Sequence, residues 1–216
     1  MTDNPFILYG SLLAAYLLGA VPFGLLVARL MGAGDIRQQG SGNIGATNVL
    51  RTAGRLAGAI ALLLDMLKGV LPILFARLWL GPEAPLVAGI ALALFLGHLY
   101  PIYLGFKGGK GVATALGIYL AWTPEAGLYA ILTWLLALLI WRTSSLSALL
   151  SFLCLPAYLF FQESRAAMAT ALLIVPWIFW RHRANIQRLA TGTEPRVGRS
   201  APPTAPSRPS HSTGEP

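Results

Sequence analysis

A chain of 216 residues in which 56% are hydrophobic and only 11% are charged does not compose a soluble globular domain. A helix needs roughly 20 apolar residues to cross hydrocarbon about 30 Å thick, so this length accommodates about six to eight crossings in a single polytopic domain. The net charge of +8 does not argue for a nucleic-acid partner, because the cations fall in loops between apolar segments, and the lone Cys154 excludes an internal disulfide.

In chain order the apolar segments are 5–31, 57–80, 85–104, 111–122, 125–141, 146–161 and 166–180. None alternates with a period of two, so each is predicted to be a helix. The fold class is therefore an all-α polytopic membrane protein of about seven transmembrane helices. The leading MTDN carries no positive charge, so segment 5–31 reads as a span rather than a cleaved signal. Positive charge gathers in alternate loops: Arg37, Arg51 and Arg55, then Lys107 and Lys110, then Arg142, then Arg181, Arg183, Arg188, Arg196 and Arg199. The intervening loops hold Asp3, Glu83 and Glu125, with Arg165 the exception. This asymmetry places the N-terminus outside and the C-terminus in the cytoplasm. Every polar, glycine-rich segment then lies on the cytoplasmic face. The chain divides into a membrane domain over 1–194 and a Pro/Ser-rich tail over 195–216, expected to be disordered and dispensable.

Three stretches carry chemistry. GSGNIGATN, residues 40–48, combines glycines with Ser41, Asn43, Thr47 and Asn48. Backbone N–H groups of such a loop, Gly42 among them, form an anion-binding nest. A helix starting near Thr47 or Asn48 would add its N-terminus, and Arg51 a bidentate phosphate contact. FKGGKGVAT, residues 106–114, brackets Gly108 and Gly109 with Lys107 and Lys110. It reads as a second phosphate cradle, or alternatively as a basic loop resting on lipid headgroups. RHRANIQRLATGTEPRVG, residues 181–198, sets His182 and Asn185 three apart, on one face of a continuing helix. A basic juxtamembrane helix would explain its arginines but not its His, Asn and Glu.

His98 reads as a structural hydrogen-bonding residue. Asp65 and Lys68, three apart within an apolar segment, read as an internal ion pair. Asp35 and Glu194 stand isolated, so neither a bound metal nor another cofactor is expected.

Together GSGNIGATNVLRTAG, DMLKG, GHLYPIYLGFKGGKGVAT and RHRANIQRLATGTE resemble, in order, the motifs of the PlsY family of bacterial acyl-phosphate:glycerol-3-phosphate acyltransferases. The resemblance covers residues 40–194. It implies a seven-helix inner-membrane enzyme with a cytoplasmic-side site and no cofactor. The implied partners are acyl phosphate, glycerol 3-phosphate and membrane lipid, without nucleic acid. The acyl group moves to the 1-hydroxyl, giving lysophosphatidic acid and phosphate. It also implies that Ser41, Arg51, Lys110, His182 and Asn185 line the phosphate sites, with His182, Asn185 and Lys110 nearest the chemistry. Ser145 matches a family serine in RTSSLSA, although Ser144 and Ser147 leave that register open. The proton acceptor is either His182 or a substrate phosphate oxygen, the resemblance favouring the latter. A transporter of phosphate or an organophosphate is the rival reading.

The charge asymmetry makes a topological prediction. In intact cells an impermeant thiol reagent should label cysteines placed at Thr2 and Glu83 but not at Asp35 or Gly198. Labelling of position 198 from outside would reverse the orientation.

Overall fold

A computed structural model describes residues 4–82 and 84–197. The labelling positions Thr2, Glu83 and Gly198, and all but residues 195–197 of the predicted tail, lie outside them. Every regular element among the described residues is helical: α1 (Pro5–Ala20), α2 (Phe23–Leu30), α3 (Ala46–Leu80), α4 (Pro85–Leu99), α5 (Val112–Trp122), α6 (Pro124–Trp141), α7 (Ser144–Phe161), α8 (Arg165–Arg181) and α9 (Arg183–Ala190). Short 3-10 turns lie at Ile36–Gln38 and Ile102–Leu104. Five stretches are long and apolar enough to cross a membrane, while α5 and α8, of 11 and 17 residues, are shorter.

The segment expected as one helix over 5–31 is broken. Pro22 offers no N–H to the helical ladder and pushes Val21 into an extended conformation, φ −60° and ψ 119°. The carbonyl of Val21 accepts a 2.9 Å bond from Lys68 Nζ, and Lys68 also pairs with Asp65 at 2.7 Å. The expected intramembrane ion pair therefore exists and pins this break to α3. His98 Nδ1 lies 3.2 Å from Thr114 Oγ1, joining α4 to α5. Asp35 is not isolated: it accepts from Arg37 and lies 3.6 Å from Arg29, and hydrogen bonds from Arg37 hold its carboxyl well below the ordinary range.

Two apolar cores result. The larger joins α1 and α3 through α8 around Phe95, Tyr119, Trp122 and Phe152. The smaller gathers Leu25, Ala28, Ile36, Ile44, Val49, Ala57 and Ala61, and roots the polar loop of residues 39–45 between α2 and α3. Large apolar side chains such as Phe75, Leu78, Trp79, Leu139 and Phe161 face outward, as lipid-facing helices require.

In lipid, helices associate through close packing of small residues rather than through burial of apolar surface. Helices α3 and α5 meet at Gly69 and Gly117. A Cβ on Gly117 would stand 2.9 Å from the Met66 carbonyl carbon and 3.1 Å from its Cα. Overpacking of this kind costs about 1–3 kcal/mol. Gly117→Ala should therefore lower the thermal midpoint in detergent, whereas Gly10→Ala, with nothing within 4 Å, should not. Equal midpoints would show that this contact does not hold α3 to α5.

Candidate active site

The cleft opens where three helices begin. Its walls come from the first turns of α3, α5 and α7, from the α8–α9 junction, and from Glu194, and it encloses about 220 Å³. The residues preceding these helices are Gly45, Gly111 and Thr143, and none caps its helix with a side chain. Three helix N-termini, with their unpaired N–H groups and positive dipole ends, thus face one space. Such an arrangement favours an anion.

The glycine-rich loop is held by Asn48. Its Nδ2 donates to the carbonyls of Ile36 and Gln39 at 3.0 and 3.1 Å, and its Oδ1 accepts from Ser41 N at 2.9 Å. Asn43 Oδ1 accepts from Gly45 N at 2.8 Å. These two amides shape the loop, so their side chains act mainly inward. Ser41, Thr47 and Arg51 line the cleft beside them. Thr47 Oγ1 lies 3.1 Å from Ser144 Oγ and so bridges the starts of α3 and α7. Arg51 is exposed and makes no hydrogen bond or ion pair among the described residues.

Opposite lies a chain of polar contacts. Lys110 Nζ donates to Asn185 Oδ1 at 2.6 Å, and Asn185 Nδ2 donates to Glu194 Oε1 at 2.6 Å. Ser145 Oγ donates to the same oxygen at 2.7 Å, and Arg188 Nε donates to Glu194 Oε2 at 2.6 Å. This settles which hydroxyl of the 143–147 turn joins the network: Ser145, with Ser144 facing Thr47 and Ser147 bonded to the Thr143 carbonyl. Glu194, expected to be isolated, is instead the hub. A turn returns it to α9, with the N–H groups of both Thr193 and Glu194 directed at the Arg188 carbonyl.

The second glycine loop differs from expectation. Lys107, Gly108 and Gly109 do not line the cleft, and neither does Gly42. The N–H groups of Gly108 and Gly109 donate to the carbonyls of Leu99 and His98 at 3.2 and 3.1 Å. Their own carbonyls receive the Arg181 guanidinium. With the N–H and carbonyl groups of both glycines bonded within the protein, this loop braces the segment that presents Lys110.

His182 is buried, and its Nδ1 lies 2.8 Å from the Ile178 carbonyl. A carbonyl only accepts, so Nδ1 carries the proton and neutral His182 offers Nε2 as an acceptor. Burial, with Lys110 nearby, pushes its pKa down to about 4. Burial also lowers Lys110 to about 8, aided by Arg188, Arg51 and Arg181 and opposed by Glu194. Although burial works against its charge, hydrogen bonds from Ser145, Asn185 and Arg188 hold the Glu194 carboxyl below its usual range. Glu194 is paired with Arg188 and Asp65 with Lys68, so among the described residues Arg51 and Lys110 are the cations left facing the cleft without a carboxylate in contact.

The inner wall is apolar, built from Leu62 and Met66 of α3, Leu116 of α5, and Ile131, Trp134 and Leu135 of α6. Sequence reading did not identify it, because these helices are apolar all round and nothing marks one face. Glu194 did carry a signal: it is the only carboxylate within an otherwise cationic motif.

A family model for glycerol-3-phosphate acyltransferase matches residues 9–192. A glycerol-3-phosphate acyltransferase of Thioalkalivibrio sulfidiphilus is 52% identical over 187 residues, covering 86% of this chain and 92% of that one. One from Agrobacterium fabrum is 50% identical over 196 residues, covering 90% and 94%. Two crystal structures of the integral membrane glycerol 3-phosphate acyltransferase PlsY superpose well, each 41% identical and covering 89% of this chain and 96% of that one. Its glycerol 3-phosphate form gives a TM-score of 0.86 and its lysophosphatidic acid form 0.84.

The lowered pKa of Lys110 fixes a pH dependence. Below about 8 the ammonium dominates and can hold an anion; above it the proton is lost. The kcat/KM should therefore fall as pH rises through about 8. Lys110→Arg, which stays charged, should move that limb upward while lowering the plateau. A wild-type profile flat through this range would remove Lys110 from anion binding.

Proposed function

We infer what this chain does from a plain premise: it belongs to the glycerol-3-phosphate acyltransferase family. It is an integral membrane enzyme that acylates glycerol 3-phosphate in phospholipid synthesis. The donor is acyl phosphate, the acceptor atom is the 1-hydroxyl oxygen, and the products are lysophosphatidic acid and inorganic phosphate. The enzyme lies in the bacterial inner membrane, which the chain crosses seven times, with the cleft at the cytoplasmic side.

One observation supports this reading above others. Two cations without carboxylate partners and three uncapped helix N-termini share a cleft with an apolar wall. An acyl phosphate has the same two halves, an anionic head and a hydrocarbon chain. Its carbonyl is a mixed anhydride and is already activated, so the protein has mainly to orient two anions and offset their repulsion. Arg51 and Lys110 neutralise the phosphates, with Ser41 and Thr47 adding hydroxyl contacts and Ser145 and Asn185 lining the same pocket. Neutral His182 accepts a hydrogen bond from the attacking hydroxyl through Nε2. The oxygen forms the ester bond as the carbonyl–phosphate bond breaks, and the hydroxyl proton leaves on phosphate, a stronger base than an imidazole lowered to about 4.

Purified protein in detergent, supplied with acyl phosphate and glycerol 3-phosphate, should release one phosphate per lysophosphatidic acid formed. Phosphate release independent of glycerol 3-phosphate would overturn the reaction. Truncating a charge-paired group costs ~2–5 kcal/mol, so Arg51→Ala should lower kcat/KM roughly 30-fold to several thousand-fold. Arg51→Lys should recover little, because an ammonium lacks the guanidinium fork.

A further inference from the structure

Helix α3 is not one rod. Within Ala46–Leu80 a single residue, Gly54, leaves helical geometry, with φ 90° and ψ 179°. Those angles lie in a region that is essentially glycine-only. No neighbour among the described residues demands the glycine, for none of them lies within 4 Å of where its Cβ would stand. Its absence of a side chain therefore serves conformation, not space.

A second glycine shows what the conformation achieves. A Cβ on Gly58 would stand 2.7 Å from Leu50 Cβ, 2.9 Å from Leu50 Cα and 3.1 Å from Leu50 N. In a straight helix, residues eight apart are separated by about 12 Å along the axis. The first turns of α3 are thus folded back onto the start of its long arm, and Gly58 is the flat seat on which Leu50 rests. Residues 46–53 are the part so redirected, and they carry Thr47, Asn48 and Arg51. Thr47 bridges to Ser144 at 3.1 Å, and Asn48 anchors the polar loop, so the folded-back turn is fixed at its far end also.

We propose that Gly54 and Gly58 are positioning residues that together set Arg51 over the cleft: Gly54 reverses the chain and Gly58 receives the reversed turn. This rests on the assignment of Arg51 to a substrate phosphate. Neither glycine touches substrate. Each acts through the direction in which the Arg51 guanidinium is delivered, and a displacement of about 1 Å there is enough to cost on the order of a hundredfold in rate.

The test is a pair of double-mutant cycles on purified, full-length protein. Arg51→Ala first identifies which substrate's kcat/KM depends on Arg51. Gly54→Ala strains the reversal and Gly58→Ala obstructs the seat, two unrelated perturbations. Each should lower kcat/KM at least about tenfold for that same substrate, with the KM-against-kcat split of Arg51→Ala. In the Arg51→Ala background each should add less than about threefold, because the group they position is gone. Thermal midpoint and monodispersity establish that each variant is folded. A wild-type Arg51→Ala enzyme would sink the assignment of Arg51 while leaving the geometry of α3 untouched. Loss in Arg51→Ala with near-normal activity in both folded glycine variants, or with effects that multiply in the double variants, would overturn the positioning role. Failure of both glycine variants to fold would also overturn it, making the glycines general requirements of the fold.

Discussion

The carboxylate of Glu194 is the contact on which the site depends. Its two oxygens receive Ser145 from the start of α7, Asn185 from α9 and Arg188 one turn further along. Asn185 in turn receives Lys110 from the loop before α5. Three segments distant in sequence, around Lys110, around Ser145 and over 185–194, are held by charge-assisted bonds, which are shorter and stronger than neutral ones. A largely buried carboxylate is tolerable only when paired and fully bonded, and the reverse holds for the groups around it. Remove it and Lys110, Arg188 and Arg51 would face one another without an intervening anion. The network leaves the site positive toward the cleft but neutral behind it, which is the polarity an anionic substrate requires.

The membrane shapes the remainder. Uncapped N-termini of α3, α5 and α7 reach the polar end of the cleft, and the bodies of α3, α5 and α6 supply its apolar end. Such a cleft suits an amphipathic ligand, its chain among hydrocarbon-like side chains and its head against cations. Interactions between charges strengthen as water is excluded, so a site partly screened by helices gains from each fixed charge more than an open surface would. The close approach of α3 to α5 at Gly69 and Gly117 brings these two walls together.

Much of this was legible in the sequence, for identifiable reasons. Apolar runs of membrane length specify helices, and polar residues in a chain of this hydropathy stand out, so Ser41, Thr47, Arg51, Lys110, His182 and Asn185 could be named and do line one cleft, which Ser145, singled out only through the family resemblance, lines as well. What failed to show depended on chain reversals. Glu194 looked isolated because the turn after α9 that returns it is a tertiary matter. Gly108 and Gly109 resembled a phosphate cradle because glycines between lysines suggest free amides, and only the fold reveals that His98 and Leu99 consume them. The break at Pro22 lay inside an uninterrupted apolar run, where hydropathy conceals a proline's effect. The apolar wall had no mark at all, since a helix buried in lipid on one side and in protein on the other is hydrophobic on both.

Everything the site does depends on where a phosphate binds. The most direct measurement is an experimental structure of this protein with glycerol 3-phosphate in the cleft. Phosphate oxygens should lie within hydrogen-bond distance of the Arg51 guanidinium and Lys110 Nζ, with Glu194 still accepting from Ser145 and Asn185. A phosphate seated instead on the 107–109 loop, with Arg51 and Lys110 making no contact to it, would contradict the account.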